Sequence, residues 1–293
     1  MGITTRRDGP IALVTIDHPP VNALPVAGWF ELADAVRNAG EDPTTHVVVL
    51  RAEGRGFCAG VDIKELQRSA EQQSHQALVG VNRGCAAAFG AVYDCAVPVV
   101  AAVHGFCLGG GIGLVGNADV VLAASDATFG LPEVDRGALG AATHLSRLVP
   151  QHLLRALYFT ARTITADELY RHGSVLEVLP REELDAAALA VAAEIAAKDT
   201  RVIRAAKEAL NGIDPQPVRR SYRFEQGFTY EMTLLGAGDE ARTRFVNGAT
   251  PDPADGPPPV APDPADGPPP GPVAGPVVAG AVPVPSETTG GER

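Results

Sequence analysis

Three consecutive glycines, Gly109 to Gly111, restrict the possible folds of this chain more than any other feature of the sequence. They follow an apolar run at residues 97–103, which predicts a buried strand, and they precede residues 112–117, which can begin a helix. Glycine permits backbone angles that other residues avoid and leaves the amide N–H groups uncovered by side chains. Because the first amides of a helix are unpaired and carry partial positive charge, this turn is suited to binding negative charge.

A second glycine-rich loop, at residues 54–60, follows another apolar run at residues 47–50. Such a run is typical of a strand buried on both faces of a parallel sheet. Ligands of α/β sheets bind at the carboxyl ends of neighbouring strands, and two amides that converge there on one oxygen form an oxyanion hole. Taken alone, each loop is equally compatible with an ordinary turn. Neither a dinucleotide-binding pattern nor a P-loop is present.

Strand and helix patterns alternate early in the chain, and only helices follow late. This order predicts an α/β core with mainly parallel strands and a helical C-terminal section, of a kind that often serves assembly. The predicted strands cover residues 11–17, 46–51, 97–103, 119–123 and 175–179. The predicted helices cover residues 25–39, 61–67, 77–93, 112–117, 140–160 with a break at Pro150, 182–198, 200–211 and 217–235, and Thr165 is the predicted N-cap of one more.

The composition changes sharply after Thr250. The sequence Pro-Asp-Pro-Ala-Asp-Gly-Pro-Pro-Pro occurs twice, and the rest is mainly proline, glycine, alanine and valine. Proline has no amide donor and is incompatible with a helix interior, and few residues here could form a core. We therefore predict a disordered tail at residues 250–293, in preference to a ligand for a proline-binding module.

Charge and cysteine content exclude several classes of protein. The net charge of −11, without a basic stripe, argues against nucleic acid as a partner. Residues 1–17 do not resemble a signal peptide, and no apolar stretch is long enough to predict a membrane span. The four cysteines form no CxxC pair, which predicts reduced thiols, a cytoplasmic protein and no metal site.

Several motifs together resemble the crotonase (enoyl-CoA hydratase/isomerase) superfamily. They lie in order over residues 8–247: His18-Pro19-Pro20-Val21-Asn22-Ala23-Leu24, Gly56-Phe57-Cys58-Ala59-Gly60-Val61-Asp62-Ile63-Lys64, Gly105 to Gly111, Ala118-Asp119 and Phe129-Gly130-Leu131-Pro132-Glu133. The resemblance implies an α/β spiral of ββα turns at residues 1–195, a helical trimerisation section at residues 196–249, and assembly into homotrimers or hexamers. It also implies an acyl-CoA substrate, with coenzyme A as part of the substrate and no separate cofactor.

The resemblance further implies a set of site residues. The backbone N–H groups of Val61 and Gly110 would hold the thioester oxygen as it becomes an enolate. Glu133 would be the catalytic carboxylate, and Asp135 would either share the site or pair with Arg136. Further substrate-binding candidates are Ala59, Gly60, Asp62, Ile63, Lys64, Gly109, Gly113, Leu131 and His144; for Asp62 we also expect an N-cap role, and for Lys64 a contact with coenzyme A phosphates.

The sequence departs from the hydratases of this superfamily at one of their two catalytic glutamates, because Gly113 occupies that position. We interpret Gly113 as space for a bulky substrate. Residues 130–152, 196–211 and 221–228 are similar to an actinobacterial branch that opens a steroid ring by hydrolysing a bicyclic hexahydroindanedione carboxyl-CoA. The resemblance thus implies hydrolytic C–C ring opening in steroid catabolism. The alternatives are an isomerase or hydratase of fatty acyl-CoA, and a non-catalytic acyl-CoA-binding protein.

Overall fold

The computed structural model describes residues 2–72 and 74–239, together with residues 243 and 247. The predicted tail at residues 250–293 lies outside these residues. The predicted division between residues 195 and 196 stays a prediction. No helix in the described part of the chain is long and apolar enough to cross a membrane.

The described strands form three sheets, the largest of which has six strands. In chain order the strands are β1 Gly2–Asp8, β2 Ile11–Asp17, β3 Ala23–Leu24, β4 Val47–Ala52, β5 Gly60–Val61, β6 Val99–Val103, β7 Phe106–Leu108, β8 Val120–Ala124, β9 Thr128–Gly130, β10 Thr163–Thr165 and β11 Glu177–Leu179. The main sheet has the order β1-β2-β4-β6-β8-β11, and only the β1–β2 pair is antiparallel. Two small sheets, β10-β9-β7 and β3-β5, continue from the carboxyl ends of these strands.

Helices cover both faces of the main sheet. They are α1 Val26–Glu41, α2 Ile63–Glu71, α3 Gln76–Tyr93, α4 Gly110–Val115, α5 Ala142–Leu145, α6 Gln151–Thr160, α7 Ala166–Arg171, α8 Arg181–Ala196, α9 Thr200–Ile213 and α10 Val218–Leu234, with a 3-10 helix at Pro132–Arg136. Alternate residues of β2 belong to different cores: Val14 packs with α1 and α3, whereas Leu13 packs with α8. This burial on both faces explains the uninterrupted apolar strands.

The structure confirms the α/β class and most predicted elements to within a few residues. The N-cap prediction is also confirmed, since Thr165 and Glu168 form a reciprocal capping box at the start of α7. Several strands were not predicted, among them β1, β7 and the short strands β3, β5 and β10. Most residues of β1 are exposed and polar, so its pairing with β2 leaves no apolar pattern. The short strand β7 lies within the glycine-rich stretch and was interpreted as part of the turn.

A buried ion pair joins the late helices to the main sheet. The Asp119 carboxylate accepts hydrogen bonds from the Val99 backbone N–H at 2.7 Å and from Lys207 Nζ of α9 at 2.6 Å. The Lys207 side chain is only 4% exposed. A buried ammonium that loses its counter-ion is left with an uncompensated charge, so this contact couples α9 to the amino ends of β6 and β8.

We expect Asp119→Ala to lower the free energy of unfolding by about 3 kcal/mol, because it leaves Lys207 buried and unpaired. Urea unfolding followed by circular dichroism measures the change. Lys207→Met is the matched control and should cost clearly less, since the Asp119 side chain is 24% exposed and still accepts from Val99. Equal losses in the two variants would contradict this account of the ion pair.

Candidate active site

The two glycine-rich loops touch each other backbone to backbone. Gly60, at the start of β5, has a φ of 93°, and a Cβ built on it would lie 3.2 Å from Gly110 N and 3.2 Å from the Leu108 carbonyl oxygen. A side chain at Gly60 would be strained by its backbone angle and would force the loops apart. Glycine is therefore required here for a close approach of two chain segments.

The backbone N–H groups of Val61 and Gly110 lie next to this contact and can donate hydrogen bonds to a ligand. Gly110 is the first residue of α4, and its N–H belongs to the unpaired group at a helix start. In the β3–β5 pair, Asp62 N donates to the Leu24 carbonyl oxygen at 2.9 Å. Because successive amides of an extended strand point to opposite sides, the Val61 N–H points away from β3. Both Val61 and Gly110 line one cavity of about 130 Å³.

Glu133 lies directly beside this pair of amides. It belongs to the 3-10 helix that follows β9, and a Cβ built on Gly109 would lie 2.6 Å from Glu133 Oε1. Any side chain at position 109 would therefore collide with the carboxylate. Glu133 Oε2 is buried and has no hydrogen-bond partner among the described residues.

Burial raises the pKa of Glu133 to about 8. Desolvation is the main cause, because a carboxylate loses its hydration in an apolar cavity. Its own backbone amide and the nearby Arg136 act in the opposite direction, while the negative charge of Glu225 adds to the increase. A carboxylate with such a pKa is suited to accepting a proton near neutral pH.

Predicted site residues meet at this cavity from three loops. Besides Val61, Gly110 and Glu133, the lining includes four of the predicted substrate-binding residues: Ala59, Gly60, Ile63 and Gly109. The walls come from α2, α3 and α10, which contributes Tyr222, Thr229 and Thr233. The cavity is thus closed on one side by α10.

Four other candidates do not lie on the cavity wall. Asp135 is exposed and does not line the cavity, so the alternative in which it shares the site with Glu133 is wrong, and its pairing with Arg136 stays a prediction. Leu131 is 1% exposed and belongs to the main core, not to the site. Asp62 caps α2 by accepting from Lys64 N and Glu65 N, which confirms its N-cap role. Lys64 is exposed on the first turn of α2, and its contact with coenzyme A phosphates stays a prediction.

Gly113 does not leave space for a substrate. A Cβ at this position would lie 2.2 Å from the Phe89 ring, so the ring of Phe89 already fills the space over the glycine. Phe89 in turn lines the cavity. The interpretation of Gly113 as room for a bulky substrate was wrong: the residue makes room for an aromatic wall, at the position where a hydratase has its first glutamate.

His144 lies behind that wall and not in the site. Its ring packs edge-on against Phe89 at 4.9 Å between centroids and lies 4.8 Å from Tyr222. Its Nδ1 is 3.3 Å from Asn117 Oδ1, and burial lowers the pKa of His144 to about 3. A neutral, enclosed imidazole supports the aromatic wall, which corrects the prediction that His144 binds substrate.

Sequence reasoning missed the side chains that α3 and the 3-10 helix bring to the cavity. Cys85 and Phe89 of α3 follow the helical spacing of ordinary core residues, so the pattern could not separate them from the core. Arg136 also lines the cavity. Its spacing of three residues from Glu133, within one helical turn, was a signal that both side chains would share a face.

Comparisons with known proteins agree with this geometry. The family model described as enoyl-CoA hydratase/isomerase matches residues 6–251. A "(7aS)-7a-methyl-1,5-dioxo-2,3,5,6,7,7a-hexahydro-1H-indene-carboxyl-CoA hydrolase" from Rhodococcus jostii is 67% identical over 86% of this chain and 96% of its own length. A protein of the same name from Mycobacterium tuberculosis is 66% identical over 84% of this chain and 99% of its own length.

A solved structure of an enoyl-CoA hydratase/isomerase from Xanthobacter autotrophicus superposes with a TM-score of 0.76 and 26% identity. It covers 85% of this chain and 93% of that protein. The chain therefore belongs to the enoyl-CoA hydratase/isomerase family, and the predicted crotonase fold is confirmed.

We expect Gly113→Ala to destabilise the protein by about 1–3 kcal/mol, because its methyl group would overlap the buried Phe89 ring. Thermal and urea unfolding measure the loss. The matched control is Gly227→Ala on α10, where a new Cβ meets nothing within 4 Å, and this change should be neutral or stabilising. A Gly113→Ala variant as stable as the control would show that Phe89 does not fill this space.

Proposed function

We propose that this chain hydrolyses a C–C bond in a bicyclic, steroid-derived CoA thioester and so opens the ring next to a ketone. The single observation that carries the proposal is the site's asymmetry. Two backbone amides and one carboxylate, Glu133, share a cavity, while Phe89 fills the position of a second carboxylate. The high identity to relatives named as hydrolases of a bicyclic dioxo-hexahydroindene carboxyl-CoA supports this choice of substrate.

The residues fit each step of such a reaction. Glu133 takes a proton from water, and the water oxygen bonds to the carbon of the ring ketone. When the C–C bond beside that carbon breaks, its electron pair passes through the conjugated system to the thioester oxygen. The amides of Val61 and Gly110 hold this oxygen as charge develops, which is a large stabilising effect in a site without free water.

The proton on Glu133 then moves to the carbon end of the broken bond. The sum is one water consumed and one carboxylate formed, with no oxidant or reductant. This chemistry uses one carboxylate base, whereas addition of water across a double bond by paired carboxylates needs the group that Phe89 excludes. The proposal requires no cofactor apart from the coenzyme A carried by the substrate.

The proposal also includes the oligomeric state and the cellular location of the enzyme. Assembly into trimers or hexamers is supported by large apolar side chains that α9 and α10 leave exposed, among them Leu210, Ile213, Phe224 and Leu234. A cytoplasmic location is supported by the four cysteines, all of which are free and buried.

Mass spectrometry of products formed in heavy-oxygen water tests the reaction. We expect the bicyclic thioester to gain one molecule of water, with the heavy oxygen in a new carboxylate and one ketone lost. Unchanged substrate would contradict the proposal. Heavy oxygen in a new hydroxyl group would instead indicate a hydratase, and a shifted double bond without added water would indicate an isomerase.

Glu133→Gln should lower kcat for ring opening by at least about 100-fold, since the amide cannot accept a proton from water. Asp135→Asn is the matched control, because Asp135 is exposed two residues further along the same 3-10 helix, and its rate should stay close to that of the wild type. Steady-state assays of ring opening measure both variants. Equal rates for Glu133→Gln and wild type would remove Glu133 from the mechanism.

The reaction rate should also depend on pH. A base works only when deprotonated, and the pKa of Glu133 is raised to about 8, so kcat/KM should rise with pH below 8 and level off above it. The charges of Arg136 and Glu225 act on this group in opposite directions. A profile that is flat between about pH 6 and pH 9 would contradict the assignment of Glu133 as the base.

A further inference from the structure

Ring opening as proposed creates negative charge at two separate oxygens. One is the thioester oxygen, which the amides of Val61 and Gly110 are placed to hold. The other is the ketone oxygen, which becomes an alkoxide when water adds and later belongs to the new carboxylate. A single pair of amides cannot stabilise both oxygens, because they lie at opposite ends of the conjugated system. The alkoxide would therefore be stabilised by a second hydrogen-bond donor or positive charge on the Glu133 side of the cavity.

Arg136 is the cation that the described cavity lining offers there. Among the described lining residues, the only charged side chains are Glu133 and Arg136, and the remainder are apolar or neutral. The two residues are three apart in the 3-10 helix Pro132–Arg136, so their side chains leave the same face of the turn. The guanidinium is close enough for its charge to act on the carboxyl group of Glu133.

The fold holds the C-terminal end of this turn in place. Gly137, directly after Arg136, has a φ of 63°, and a Cβ on it would lie 2.4 Å from Gly238 Cα. The segment after α10 thus packs closely on the end of the 3-10 helix. Two residues further along, the Thr229 hydroxyl of α10 donates to the Leu139 carbonyl oxygen at 2.7 Å. Arg136 therefore projects from a braced turn.

We propose that Arg136 is a second catalytic residue of the proposed function, which stabilises the alkoxide formed at the ring ketone and then holds the new carboxylate. Guanidinium is suited to both species, since its planar set of donors matches the two oxygens of a carboxylate. The bond changes are those of the proposed hydrolysis. The alkoxide collapses to a carbonyl, the neighbouring C–C bond breaks toward the thioester, and the carboxylic acid loses a proton to water.

This inference rests on the proposed function, and steady-state kinetics with the bicyclic thioester separate the two. Arg136→Met should lower kcat by about 100-fold or more, which is the cost of losing one oxyanion donor, whereas KM should change by less than about tenfold. Arg136→Lys keeps the charge and should recover a large part of kcat. Arg155→Met, on an exposed residue of α6 away from the cavity, is the matched control and should leave kcat unchanged.

A second measurement distinguishes a catalytic role from a structural one. In deuterium oxide, the enzyme should exchange the hydrogen on the carbon that was released when the ring C–C bond broke. This exchange uses only Glu133 and the two amides. At saturating product, Arg136→Met should exchange at close to the wild-type rate, while Glu133→Gln should not exchange.

Two outcomes would overturn the assignment of Arg136. One is ring opening by Arg136→Met at the wild-type rate. The other is an Arg136→Met variant that has lost both ring opening and hydrogen exchange. A wild-type protein that leaves the bicyclic thioester intact would overturn the proposed function itself.

Discussion

The contact between Gly60 and Gly110 is the constraint on which the site depends. A Cβ on Gly60 would lie 3.2 Å from Gly110 N, so the two backbones are too close for a side chain to fit between them. This approach brings the end of β5 and the start of α4 to one cavity and leaves one amide of each facing it. Main-chain donors of this kind are held by the fold itself, so no side-chain ordering is needed when charge develops on a bound oxygen.

The absence of a side chain at a neighbouring glycine also makes room for the catalytic base. Gly109 leaves space for the carboxylate of Glu133, whose Oε1 would otherwise be 2.6 Å from a Cβ. Gly113 leaves space for Phe89, which lines the cavity and is supported from behind by His144 and Asn117. One glycine therefore admits a carboxylate and another admits an aromatic ring. The resulting site has charge on one side and an apolar wall on the other, which fits an uncharged, rigid acyl group better than a pair of acids would.

Much of this arrangement could be predicted from the sequence, because its signals are local. The apolar runs of β4 and β6 and the glycine-rich loops follow from residue type and spacing, whereas Glu133 was identified through the resemblance of its surrounding motif to the crotonase superfamily. Longer-range features could not be read in this way. Whether Gly113 faces a substrate or Phe89 depends on α3, which lies more than twenty residues earlier in the chain. Likewise, the exposure of Asp135 and the burial of His144 are set by how α5, α10 and the 3-10 helix pack, and no single segment encodes that packing.

The most direct test of the central claim is a crystal structure of the Glu133→Gln variant with the bicyclic thioester bound. The account predicts that the thioester oxygen lies about 2.7–3.1 Å from both Val61 N and Gly110 N, with the ring ketone on the side of residue 133. A thioester oxygen that contacts neither amide, or that contacts side chains instead, would contradict it.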